Sequence, residues 1–158
     1  MLWRDRKWKP GMLVRRDRPA TAIAIMLDVA FHAPHAELVS AADIAARLVQ
    51  ARRGIEPVLQ ALVRAGLLDS VRGPRGGYRL ARSGRALPLL MVVAAVQEPD
   101  TMADATGPMD AAVIRPLWAE MERACGTCLQ ALTIDDLVHR AAARGIPKPA
   151  AGPLDFVI

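Results

Sequence analysis

The segment that most constrains this chain is 55–81, where a helical apolar pattern gives way to two strand-length pieces around a glycine- and proline-rich tip. Ile55, Val58, Leu59, Leu62 and Val63 recur at i, i+3, i+4, i+7 and i+8, which is one buried face of a helix. Gly66 supplies its stop. Arg52, Arg53 and Gln60 fall away from that stripe, at the exposed start and on the outer face. Pro57 is tolerable only if the helix begins near Arg53, which would put it within the first turn, where the missing N–H costs nothing. Leu68–Val71 and 77–81 then have strand lengths, separated by the tip Arg72, Gly73, Pro74, Arg75 and Gly76. The two tip arginines have no core to join.

Upstream, Ile23, Met26, Leu27, Ala30 and Phe31 predict a helix over 20–32, ended by Pro34. Ser40 ahead of Ala41, Ala42 and Asp43 is a serine N-cap with an acidic third position, opening a short helix to about Leu48. Downstream, 87–96 reads as a buried helix and 97–108 as a loop. Ile114, Trp118, Met121, Cys125, Cys128 and Leu132 then follow at spacings of 4, 3, 4, 3 and 4. That is a heptad seam on one helix, suited to pairing helices. Thr133 caps a last amphipathic helix, Ile134–Ala143, stopped by Gly145 and Pro147. With only 4% aromatic residues, the chain favours helices packed by aliphatic side chains over a β-sandwich.

The net charge of +5 is unevenly placed. Residues 1–18 carry seven basic and two acidic groups, and 19–46 carry three acidic groups alone. Residues 47–85 carry nine arginines against two acids, whereas 86–158 carry five basic and nine acidic groups. Arginine clamps phosphate bidentately, and clustered cations release DNA counterions together. Helix, short helix, turn, helix and hairpin form a winged helix-turn-helix, in which one helix offers polar side chains to the major groove while the wing touches backbone or minor groove. The expected fold is mainly α with a small β-hairpin wing. The expected organisation is a basic arm at 1–12, a winged helix-turn-helix DNA-binding domain at 13–98, a loop and dimerisation helices at 99–145, and a Pro-rich tail at 146–158. Met12 is an alternative start, and Trp3 and Trp8 give the arm aromatic rings among its cations.

SAADIAARL, IEPVLQALVRAGLLDSVRGPRGGYRLAR and AIMLDVAFHA resemble the Rrf-type winged-helix repressors, over about residues 13–98. That bacterial family includes an iron–sulfur cluster regulator, a nitric-oxide-sensitive repressor and a cysteine-metabolism repressor. LLDSVRGPRGGYRL is the most characteristic part, and a more diffuse likeness runs from Leu117-Trp118 to LTIDDLV. The resemblance implies a homodimer, paired through the long helix, that binds a two-fold double-stranded DNA site and controls transcription, as a repressor. It places Arg52, Arg53 and Glu56 towards bases or phosphates, and Arg72, Gly73, Pro74 and Arg75 in the wing contact. Gln60 and Tyr78 complete the candidate DNA-binding set. Ile114, Trp118, Met121, Cys125, Cys128 and Leu132 are the expected dimer interface. The family's usual turn glycine is here Val49, followed by Gln50 where the family has an apolar residue.

Cluster-bearing members of that family place three cysteines just before the tryptophan, and 99–116 has none. Cys125 and Cys128 follow Trp118, so no cofactor and no metal is expected. The main reading is two small apolar side chains on the seam. The alternatives are an iron–sulfur cluster or metal shared between subunits, or a redox pair acting as sensor. His32, His35 and His139 are scattered and read as capping or surface groups. No catalytic constellation is present, so an enzyme is not expected. No apolar run approaches the ~20 residues of a membrane span, and Asp28 interrupts the one stretch that resembles a secretory signal. A cytoplasmic location without a membrane partner is therefore expected. The rival functional class is a winged-helix interaction or scaffold module with weak DNA binding.

Overall fold

The computed structural model describes residues 17–33, 37–97 and 107–146. The 1–12 arm with Trp3 and Trp8, His35, most of the 97–108 loop and the Pro-rich tail beyond Ile146 lie outside the described residues. Helix α1 (Asp17–His32) leads to α2 (Ala41–Arg47), α3 (Arg52–Arg64), strands β1 (Leu68–Val71) and β2 (Gly77–Leu80), a single 3-10 turn (Gly84–Ala86) and α4 (Leu89–Val96). A π-helical turn (Asp110–Ile114) runs straight into α5 (Arg115–Ala131), and α6 (Ile134–Ala143) follows.

The caps act where the sequence places them. The Ser40 hydroxyl accepts from the Asp43 N–H at 3.1 Å and donates to the Asp43 carboxylate at 2.6 Å. Thr133 forms a full capping box, in which its N–H donates to Asp136 at 2.8 Å and its hydroxyl accepts from the Asp136 N–H at 3.2 Å. Pro57 departs from expectation. It is the sixth residue of α3, inside the second turn, because the helix already begins at Arg52. The helix continues through it on the strength of Ile55, Val58, Leu59 and Leu62, which are all buried.

α1 is the spine of the core and touches α2, α3, α4, α6 and β2. Its innermost residues are Ala22, Ile25, Met26 and Val29, together with Phe31, whereas Ile23, Leu27 and Ala30 from the expected stripe are half-buried. A helix packed from several sides buries a broad sector, so the fully enclosed line is rotated by one residue from the sequence pattern. α4 follows Pro88, its N-cap, and adds Leu89, Val92 and Val96 to the same cluster.

β1 and β2 pair antiparallel, in register from Leu68 opposite Leu80 to Val71 opposite Gly77. Val39, just ahead of α2, adds a third rung: its N–H donates to the Tyr78 carbonyl at 2.9 Å, and the Tyr78 N–H returns to the Val39 carbonyl at 2.8 Å. A methyl group on Gly77 would lie 2.6 Å from the Val39 oxygen, so only glycine lets the two backbones meet. A second bridge joins Pro88 to Thr133. There the Leu89 N–H donates to the Leu132 carbonyl at 2.8 Å and the Ile134 N–H to the Leu87 carbonyl at 3.0 Å. Among the described residues, no helix is long and apolar enough to cross a membrane.

Candidate nucleic-acid interface

The helix-turn-helix is fixed from behind by an ion pair with one buried partner, which no sequence pattern announces. Asp28 on α1 is 7% exposed. Its two carboxylate oxygens accept from Nε and a terminal amine of Arg47, at the end of α2, both at 2.8 Å. This bidentate hydrogen bond raises the Arg47 pKa further above its ordinary value, with burial opposing and the Asp28 charge assisting. His32 joins from the last turn of α1, where its Nδ1 sits 2.9 Å from the Asp28 carbonyl and 3.3 Å from the carboxylate. The orientation of α2, and of the turn that follows, is thereby tied to α1.

That turn contains Val49 at φ +52°, with 91% of its surface exposed. The Val49 N–H bonds to the Ala46 carbonyl at 3.2 Å and the Gln50 N–H to the Ala45 carbonyl at 3.0 Å, which is a Schellman close to α2. The backbone thus adopts the glycine conformation at the position where the sequence supplies a β-branched residue. The turn geometry is kept at the cost of strain.

α3 emerges with Arg52, Arg53 and Gln60 exposed and Glu56 half-exposed. Arg52 and Glu56 stand 3.6 Å apart on successive turns, with 65% and 46% of their side chains in solvent. So open a pair is worth little and is readily exchanged for another partner. In the wing, Arg72, Gly73, Pro74 and Arg75 are exposed. Gly73 holds φ +124°, and the Gly76 N–H closes the tip onto its carbonyl at 2.9 Å. Arg53, Arg72 and Arg75 make no ion pair among the described residues, whereas Arg79 is held by Asp69 across the strands at 3.3 Å.

A groove of about 460 Å³ runs between the start of α2, the start of α3 and the wing, lined by Ser40, Arg52, Ser70, Arg72, Gly73 and Tyr78 among others. It brings four of the sequence-derived candidates together: Arg52, Arg72, Gly73 and Tyr78. Arg53, Glu56, Gln60, Pro74 and Arg75 do not line it. Tyr78 is half-buried and packs on the core, so it serves the wing's attachment as well as its surface.

The second candidate surface is α5, which has no buried residue. Ile114 is 41% and Trp118 37% exposed, and Val113 and Leu117 beside them are 53% and 49% exposed. Cys125 and Cys128 are free and exposed, and Met121 is half-buried. Leu132, the last residue of the expected seam, instead caps α5 and packs on the core.

A winged helix with exposed arginines on α3 and its wing, followed by a long helix, matches known proteins along most of its length. A family model described as Rrf2, "Iron-dependent Transcriptional regulator", matches residues 16–140. The chain belongs to the Rrf2 family. It is 30% identical over 151 residues to the ORF2 protein of Azotobacter vinelandii, named for an HTH-type transcriptional regulator, covering 85% of this chain and 92% of that one. It is 33% identical over 123 residues to the HTH-type transcriptional regulator IscR of Photobacterium profundum, covering 75% and 71%. Its fold is similar to that of T. potens IscR, with a TM-score of 0.66, 22% identity and coverage of 92% and 95%. It is similar likewise to CymR of B. subtilis, with a TM-score of 0.62, 22% identity and coverage of 85% and 98%. This Rrf2 chain is accordingly a DNA-binding transcription regulator with a winged-helix fold, in a family of regulators rather than enzymes.

Among the described residues of this Rrf2 chain, iron chemistry finds no complete donor set. No group of three or more His, Cys, Asp or Glu side chains able to hold a metal occurs among the described residues. The sequence has two cysteines, half the thiolates that a cluster normally takes. The described residues therefore do not fit a cluster within a single subunit.

Proposed function

We propose that this protein is a homodimer that binds a two-fold, sequence-specific DNA site and represses transcription there. The observation that carries this reading is the set of exposed arginines without ion pairs among the described residues, Arg53, Arg72 and Arg75, shared between the start of α3 and the wing tip, beside a groove lined by Arg52 and Arg72. α3 would enter the major groove, where Arg53 and Glu56 can hydrogen-bond to base edges and Glu56 can accept from a cytosine amino group. The wing arginines would grip phosphate or the adjacent minor groove.

The uncovered apolar face of α5, centred on Ile114 and Trp118, supports pairing with a second copy. Two recognition helices about one helical turn apart, roughly 34–36 Å, then meet successive major grooves. A dimer seated on a promoter represses by occupying the DNA that polymerase needs.

Fluorescence anisotropy with duplexes selected from a random library tests this reading. The selected sequence is expected to bind at least about a thousandfold more tightly than random duplex. Arg72→Ala should weaken both and reduce the log–log salt slope by about one. Weak binding that is indifferent to sequence would instead identify an interaction module and defeat the proposal.

A further inference from the structure

Two residues in the opening of α3 are poor choices for a helix, and nothing inside the molecule asks for them. Gly54 lies within α3 on ordinary helical backbone, exposed, and a Cβ built on it meets nothing within 4 Å. Neither a left-handed conformation nor a close internal contact requires glycine there. This contrasts with Gly73 at φ +124° and with Gly77 against Val39. Pro57, three residues on and also exposed, cannot donate to the Arg53 carbonyl as any other residue would. The two worst helix formers thus sit side by side on the exposed surface of a helix whose other face, Ile55, Val58, Leu59 and Leu62, is buried in the core. Their neighbours on that surface are Arg52, Arg53 and Gln60.

We infer that Gly54 and Pro57 are a thymine-reading position, at which the bare α-carbon of Gly54 lets a thymine 5-methyl group pack against the Pro57 ring. The thymine methyl is the one apolar group that base edges present in the major groove. A shallow, non-polar spot bordered by Arg52, Arg53 and Gln60 complements it, because those side chains can take the polar groups around the methyl while the spot itself offers no competing hydrogen bond. The side chains that surround the spot would set which neighbouring bases are read. The inference rests on the sequence-specific DNA binding proposed above.

The test uses the full chain, duplexes selected by the wild-type protein from a randomised library, and versions in which each thymine is replaced in turn by deoxyuridine. At one thymine per half-site, loss of the methyl should weaken wild-type binding about five- to tenfold. Gly54→Ala should melt no lower than wild type and bind the thymine duplex about tenfold more weakly. It should recover on the deoxyuridine duplex at that same position, where its own methyl fills the vacated space. Pro57→Ala should lose the preference for thymine over uracil. Unchanged binding by Gly54→Ala, or an equal loss with thymine and uracil at every position, overturns the inference while leaving the regulator reading intact. A selection that enriches no sequence defeats that reading and this inference together.

Discussion

The winged body and α5 treat the same kinds of side chain in opposite ways. In the body, Ile25, Met26, Ile44, Ile55, Leu59 and Leu62 are fully enclosed, and each helix faces at least one other. The π-helical turn and α5 carry Ile114, Leu117 and Trp118, and α5 touches α4, yet neither encloses any of its residues. The body is therefore a folding unit complete within one chain, whereas α5 has core-grade residues and no interior of its own. Stability of the body should be a property of the monomer, and stability of α5 a property of the assembly.

The strongest break in that comparison is Leu59→Ala. It should cost about 2–5 kcal/mol in denaturant unfolding, whatever the protein concentration, because the surrounding core cannot close over the void. Trp118→Ala is the counterpart on α5. It should weaken the proposed dimer by about 2 kcal/mol or more, seen as dissociation on dilution by light scattering, while leaving the unfolding of the body unchanged. A Trp118 variant that unfolds the monomer, or that leaves the dimer intact, would erase the distinction.

A smaller effect sharpens the picture of the body itself. Val49→Gly relieves the left-handed backbone at the turn and should stabilise by about 1 kcal/mol, raising Tm by about 2–5 °C. Smallest is the pH response of α6. The hydrogen bond from Thr133 holds the Asp136 carboxyl below its usual range. A folded value below the unfolded one means that the contribution is present above the ordinary carboxylate range and is lost as pH falls through the folded value. Helical circular dichroism should therefore show α6 fraying below roughly pH 4, and Asp136→Asn should remove that step.

What the sequence revealed follows from how local the physics is. The caps at Ser40 and Thr133, the strand Leu68–Val71 and the helix Ile134–Ala143 each depend on residues within a few positions, and each lies where periodicity and turn chemistry put it. The Asp28–Arg47 pair joins residues 19 positions apart, and nothing near Asp28 announces a partner. Nor does anything near Val39 announce that it pairs with the wing. Val49 lies between these cases: its place in the turn was legible by resemblance, but its positive φ was not. At the candidate interface, the exposure of Arg52, Arg53, Arg72 and Arg75 followed from their absence from any apolar stripe. The groove joining α2, α3 and the wing needed the fold.

The bridge between Pro88 and Thr133 gives α5 a mechanical meaning. It fastens the foot of that helix to the strand-like segment between the wing and α4, so α5 behaves as a beam clamped at one end rather than as a tethered rod. Its 17 residues span roughly 25 Å. A tilt of about ten degrees at the clamp displaces the far end by roughly 4 Å, about the rise of a single base pair. In the proposed dimer, joined along this beam, the angle held by these two backbone hydrogen bonds and by the packing of α5 on α4 would gauge half-site spacing, legible in an operator as the number of base pairs between its arms.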